Sequence, residues 1–340
     1  MSAAFVFTLE PARFFSSRGS SGAAVIHSDT LMAALRCASE ESGAAGEILA
    51  REPPPFVVSS VFPEVSGVRL YPRPLGLPAP LRAETAAEAE RTLDAWRRVE
   101  WVSEARLESI AEGRRIRFDA DDVAEGRVWG MPSERGLEGL PRRVRRAGIA
   151  AGAGGSGPEG GVVRFEREEI ALGPTTRLFF LARIEEPSAL APLRDLVERL
   201  GESGLGGGRS RGAGRFRLAS AHAAPGFLGV ERAAVERTGD AKSDGAALLL
   251  SLYLPSCEEV EAGVLEGAAL DLVVRGGWIH SGGPTALRKR SVRMLQEGSV
   301  TAAAAPWPRG EVRDVRPADF DRHPVWRDGR AFAIRYRGES

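Results

Sequence analysis

Two cysteines, two lysines, four histidines and three tyrosines among 340 residues narrow what this chain can do. Cys37 and Cys257 stand alone, with no CxxC pair and no histidine at ligand spacing. That excludes a cysteine-built zinc module and a disulfide framework. No Asp/Glu cluster is spaced like a two-metal site, so no metal or other cofactor is expected. There is no run of about 18 apolar residues, and a membrane span is not expected. The start, "MSAAFVFTLE", has neither a basic region nor an apolar stretch followed by a cleavage site, which predicts a soluble, cytoplasmic protein. Net charge is zero, with 46 basic and 46 acidic residues, and says nothing about partners.

What is abundant is arginine and glycine. Lys242 and Lys289 are the only lysines, so nearly every cation is a planar five-donor guanidinium suited to phosphates and bases. Hydrophobic residues at 43% supply a core. The two abundant types meet in "GGGRSRGAGRFRL" (206–218), five glycines and four arginines in thirteen positions. A Walker A register would put the first glycine on Ser203 and lacks the lysine, and each G-x-G-x-x-G register ends on an arginine. Both phosphate motifs also lie between a strand and a following helix, whereas here a helical stretch precedes and a strand follows. A flexible linker fits the composition. It does not account for arginines at 209, 211, 215 and 217. Glycines that let backbone approach a sugar-phosphate chain, with arginines for charge and stacking, describe a loop that grips single-stranded RNA.

Periodicity and turn signals order the rest. Residues 3–11 read as a strand and "HSDTLMAALRCASEE" as a helix capped by Ser28 or Asp29. Residues 53–74 read as a hairpin turning at Ser66-Gly67, and 84–112 as helical from composition and charge spacing. Residues 140–172 read as a long hairpin with a Gly/Ala/Ser tip, 176–186 as a strand, 187–203 as a helix and 214–220 as a strand. The order is βαββαβ, ferredoxin-like. The remainder repeats a weaker version. The expected fold is α+β: two ferredoxin-like (RRM-like) βαββαβ domains, 1–220 carrying an insertion at 77–172, and 221–340, with a long β-hairpin insertion and a glycine-rich loop.

The loop "GLGGGRSRGAGRF" resembles the glycine-rich signature of the RAMP superfamily of CRISPR RNA-binding proteins. "IHSDTLMAAL", "FVVSSVFP", "LYPRPLG", "RGGWIHSGG", "MLQEGSV" and "HPVWRDGRAFAI" follow in the order found in the fourth Csm subunit of type III-A CRISPR effector complexes, from about residue 5 to 334. The resemblance implies a subunit without nuclease activity that caps the complex at the crRNA 5′ tag. It would dock the large polymerase-like Csm subunit and the first Csm backbone subunit. Gly206, Gly207, Gly208, Arg209, Ser210, Arg211, Gly212, Gly214 and Arg215 would hold the tag, and the hairpin around Arg142, Arg143, Arg145 and Arg146 would be the thumb that wedges against the RNA.

Other residues keep two readings each. His27-Ser28 is a helix cap or an RNA-facing helix start. Trp278, after Gly276-Gly277, is a core residue or a stacking platform reached by close backbone approach. Arg288-Lys289-Arg290 is a solvated turn or an RNA contact, and Glu258, Glu259 and Glu261 are a helix surface or a patch for a basic partner. The alternative functions are a precursor-RNA-processing endoribonuclease of the same superfamily, with His27 as acid–base, and a generic single-strand RNA-binding module. None of the four histidines has a His or Lys neighbour placed to share proton transfer.

Overall fold

In "AAFVFTLEP" the side chains of Phe7 and Leu9 face one side and Val6 the other, and all three are fully buried, as a strand covered on both faces requires. This computed structural model describes residues 3–12, 25–40, 46–76, 85–134, 137–151, 162–228, 246–279, 287–303 and 305–337. Strand β1 (Ala3–Pro11) leads to α1 (Ser28–Ser39), a short α2 (Glu47–Ala50), β2 (Phe56–Val58), β3 (Phe62–Val65) and β4 (Val68–Pro72). The β3–β4 turn has positive φ at Ser66 and Gly67, the primed geometry that matches strand twist. After α3 (Ala86–Arg98), β5 (Trp101–Ser103), α4 (Glu104–Ala111), β6 (Val123–Ala124) and β7 (Val128–Trp129), the chain forms a hairpin of β8 (Arg142–Ala151) and β9 (Val162–Ala171). Of its expected tip, 147–161, residues 147–151 continue β8 and 152–161 lie outside the described residues. Then come β10 (Thr176–Ile184), α5 (Leu190–Ser203) and β11 (Phe216–Ala223).

Apart from β8 and β9, which pair with each other, these strands build one sheet in the order β11-β1-β10-β3-β4-β5-β7-β6, with β2 also on β10. Its first four members stand in the fourth-first-third-second order of a βαββαβ unit, and α1 and α5 pack on one face. Leu31, Met32, Leu35, Leu193, Leu196, Val197 and Leu200 meet Phe7, Leu9, Leu178, Phe180 and Ala182 there. The helices bury their apolar stripes this way, and Pro192 is tolerated because it falls in the first turn of α5.

The stretch 84–112 corrects the sequence reading. It is two helices separated by β5, because Trp101 and Val102 are buried in the sheet and Val99 leaves helical φ/ψ. Thr85 and Glu88 close a capping box that fixes where α3 begins. Within the expected insertion at 77–172, β5, β6 and β7 extend the main sheet.

The C-terminal half comprises β12 (Ala246–Leu249), α6 (Cys257–Glu261), β13 (Leu272–Arg275), β14 (Trp278–Ile279), β15 (Leu287–Arg288), β16 (Val292–Leu295), β17 (Val312–Asp314), β18 (Trp326–Asp328) and β19 (Ala333–Tyr336). Among the described residues these pair as four two-stranded ladders, tied by bridges such as Leu248–Val300 and Tyr253–Leu295, not as a second continuous four-stranded sheet. Leu248 and Leu250 with Phe332 and Ile334 pack on the sheet face opposite α1 and α5, against Phe62, Tyr71, Phe179 and Leu181. The two halves thus share a core.

Candidate nucleic-acid interface and the joint between the halves

Residues 204–215 are not an open linker. Leu205 and Ala213 are fully buried, and the Leu205 N–H donates to the Gly214 carbonyl at 2.9 Å, closing the loop at its neck. Inside it, Arg209–Arg211 make one 3₁₀ turn, flanked by Gly208 and Gly212, both left-handed. The Gly212 N–H donates to the Arg209 carbonyl at 2.9 Å and the Ala213 N–H to the Gly208 carbonyl at 3.3 Å. Gly206 and Gly207 are half-buried, whereas Arg209, Ser210 and Arg215 are exposed. Of Arg211 the backbone alone is described. Alternation along β11 sends Phe216 inward and Arg215 and Arg217 outward. Arg217 is ion-paired to Glu10, which Arg177 also approaches at 3.2 Å. The loop is a closed, hydrogen-bonded bend that offers guanidinium groups and polar backbone at one end of the sheet.

The hairpin arginines stand elsewhere. Arg142, Arg143, Arg145 and Arg146 are exposed on β8, and alternation divides them between its two faces. Glu168, directly across from Arg145, lies 3.7 Å from it, and Arg146 reaches the buried Glu169 at 2.8 Å. The opposite strand therefore balances part of this charge.

His27 and Ser28 are a correction. They are buried, at 1% and 4% exposure, in the joint between the two halves, so neither presents an atom to a strand of RNA. Nor do Ser28 and Asp29 cap α1: the N-cap position is His27, which makes no side-chain cap bond. A distant hydroxyl serves instead, as the Ser28 N–H donates to Ser60 Oγ at 2.8 Å. Ser60 Oγ in turn donates to Glu297, which His27 Nδ1 meets at 2.9 Å. The Leu252 N–H donates to Ser28 Oγ at 3.0 Å. Asp29 accepts two hydrogen bonds of 2.9 Å from Arg275 and another from Arg327. Burial alone raises a carboxyl pKa, but the two guanidinium groups outweigh it and hold Asp29 well below the usual carboxylate range. Arg330, paired with Asp328, donates to the Pro54 carbonyl at 2.8 Å.

Sequence reasoning missed Ser60, Arg275, Glu297, Arg327 and Arg330 as members of one site. Each lies in a stretch that carried the family resemblance, but their meeting depends on contacts across more than 200 residues. Trp278, left between two readings, is 57% exposed, and Gly277 before it has φ +132°. Glu259 is structural: it closes a capping box with Ser256, accepts from Tyr253 Oη, and accepts from the Arg309 and Gly310 N–H groups. Glu258 and Glu261 are exposed on α6. Lys289 is half-buried, and burial together with the charge of Arg327 lowers its pKa. No helix in the described residues is long and apolar enough to cross a membrane.

A mixed α+β chain with a large sheet in this order has an RRM-like architecture. Residues 242–336 match the family model described as the CRISPR Csm4 C-terminal domain. A chain in the crystal structure of the Csm3-Csm4 subcomplex of a type III-A CRISPR-Cas interference complex is similar over 98% of this chain and 99% of that one, with a TM-score of 0.65 and 14% identity. Chains of the Csm1-Csm4 cassette are similar as well. The one with cA4 has a TM-score of 0.58 at 15% identity over 100% of both chains. The one with pppApA has 0.56 at 16% over 99% and 98%. No curated protein sequence matches the chain.

Proposed function

We propose that this chain is a non-catalytic crRNA-binding subunit of a type III-A Csm complex. It caps the complex at the crRNA 5′ tag and docks the large polymerase-like subunit and the first backbone subunit. Its thumb is the β8–β9 hairpin. The observation that carries the reading is the closed loop 205–214, with Arg209, Ser210 and Arg215 exposed, at the end of a sheet whose two faces are both covered. An RRM stacks RNA on aromatic residues of its open sheet face. Here Phe62, Tyr71 and Phe179 occupy that face under the C-terminal half and the Trp96–Trp129 cluster. A strand must therefore be met by loops. Relatives whose structures pair Csm4 with Csm3 and with Csm1 support the two docking roles.

The purified chain is expected to bind single-stranded RNA with a salt slope of about −2 to −3, from three or four phosphate contacts at ~0.7 each. Arg209→Ala/Arg215→Ala flattens that slope by about 1.4 on the same scale, because neither side chain is neutralised by an ion pair among the described residues. An unchanged slope defeats the reading of the loop as the RNA grip.

Repeat-bearing RNA is expected to survive incubation with the pure chain, with and without Mg²⁺. His27, the candidate acid–base, is buried against Glu297 and out of reach of a 2′-hydroxyl. Site-specific cutting that His27→Ala abolishes would instead make this a processing nuclease.

A further inference from the structure

Strand β13 leaves two aliphatic side chains in solvent. Leu272 is 62% exposed and Val274 65%, and two residues apart they share one face of the strand. Trp278, on β14, is 57% exposed. An arginine stands directly across the ladder from two of the three: Arg293 opposite Val274, and Arg288 opposite Trp278. Directly opposed residues of an antiparallel pair lie side by side on one face. Both arginines are exposed, and neither is in an ion pair among the described residues. Arg290 adds a further cation at the rim, its guanidinium donating to the Asp314 carbonyl at 2.8 Å. The carboxylate of Asp271 is turned back to accept from the Leu272 N–H at 2.8 Å. β13 pairs with β16 alone among the described strands, so its outer edge has no neighbour there.

We propose that Leu272, Val274 and Trp278, with Arg288 and Arg293, form a docking face for an apolar, carboxylate-edged surface of another protein chain. Charge complementarity sets the sign of the partner: cations beside each anchor call for carboxylates beside each apolar group opposite. The anchors themselves favour protein over RNA. Nucleic-acid bases stack on planar groups, and Leu272 and Val274 offer none. Aliphatic side chains joined to one Trp and two Arg have the composition of the central part of a protein interface. This face is separate in the chain from the glycine loop. It gives the docking role proposed above a location, and in that respect it rests on the reading of this chain as a complex subunit.

The test uses the full chain and three probes: a purified Csm1-type subunit, a purified Csm3-type subunit, and a fluorescent single-stranded tag RNA. Leu272→Asp/Val274→Asp places charge where solvent already reaches, so its thermal midpoint stays at the wild-type value. It is expected to weaken one protein probe by about thirtyfold, the loss a central interface residue gives, and to leave RNA affinity unchanged. Arg288→Glu/Arg293→Glu, which keeps every apolar group, should weaken the same probe, most strongly at low salt. If wild type binds a subunit and both variants bind it equally well, the docking face is refuted while the subunit reading stands. Loss of RNA affinity alone would make this a nucleic-acid face. Failure of the wild type to bind either subunit would overturn the subunit reading and the face with it.

Discussion

Gly214→Ala is expected to disrupt the glycine-rich loop from within and to lower the stability of the whole chain. Gly214 has φ +74°, and a Cβ built on it would stand 1.9 Å from the Leu205 carbonyl oxygen and 2.9 Å from both the Leu205 carbonyl carbon and amide nitrogen. These are backbone atoms of the loop neck, so no side chain can swing aside. The substitution adds left-handed strain of about 1–2 kcal/mol. It also forces apart the Leu205–Gly214 hydrogen bond, worth about 1 kcal/mol, and lifts Leu205 from the core it shares with Leu200 and Phe216. A total near 2–4 kcal/mol is expected from denaturant unfolding. Gly212 is the control within the same loop. Its φ is +76°, yet a Cβ there meets nothing within 4 Å, so Gly212→Ala carries the conformational strain alone, about 1–2 kcal/mol.

The pair separates two roles that glycine plays in this loop. The open space at Gly212 is a place where a bound strand can come close, so Gly212→Ala should weaken tag-RNA binding more than its modest loss of stability explains. Gly214→Ala should lose RNA binding and fold together. Equal stability of the two variants would mean that the loop neck yields freely and does not hold the loop in shape.

The parts of the fold legible in the sequence were those whose signal is local. β1, β10 and the β3–β4 hairpin follow from apolar runs and a turn dipeptide, and α1 and α5 from stripes of apolar residues. β5 was not legible, because three residues between two highly charged helices leave no period to read. The burial of both sheet faces was not legible either: a run such as "RLFFLARI" states that both sides are apolar but not what covers each. At the site, the loop's position between helix and strand was within reach of spacing and composition; its closure through the Leu205–Gly214 hydrogen bond was not. The fate of His27-Ser28-Asp29-Thr30 was not. A short polar string before an apolar helix signals a cap on every local criterion. What overrode it is tertiary: Ser60 supplies the cap bond, and Asp29 is drawn to arginines 246 and 298 residues away. Polar residues that join distant segments carry no periodic pattern, so their burial cannot be read from the chain around them.

That joint is where the remaining large effect is expected. Asp29→Asn keeps the shape of the side chain and removes its charge, leaving the guanidinium groups of Arg275 and Arg327 buried without a counter-ion; their side chains are 13% and 8% exposed. Breaking a buried pair by removing one member costs about 3–5 kcal/mol, more than the intact pair contributes over an apolar replacement, since the desolvated charges stay behind. The loss should appear as lowered stability of the full chain in denaturant, with no change in the arginines themselves, which stay charged at any working pH. Its pH dependence identifies the cause. The carboxylate is held below its usual range in the folded chain and returns to about 4 on unfolding. Its contribution is therefore complete above about pH 4 and is lost as the solution becomes more acidic, because the unfolded chain then binds the proton first. The stability deficit of Asp29→Asn relative to wild type should accordingly be constant between about pH 5 and 8 and narrow steadily below about pH 4. A deficit that stays constant down to the lowest pH at which the chain folds would mean that Asp29 acts through shape and hydrogen bonding alone, and that charge does not hold the two halves together.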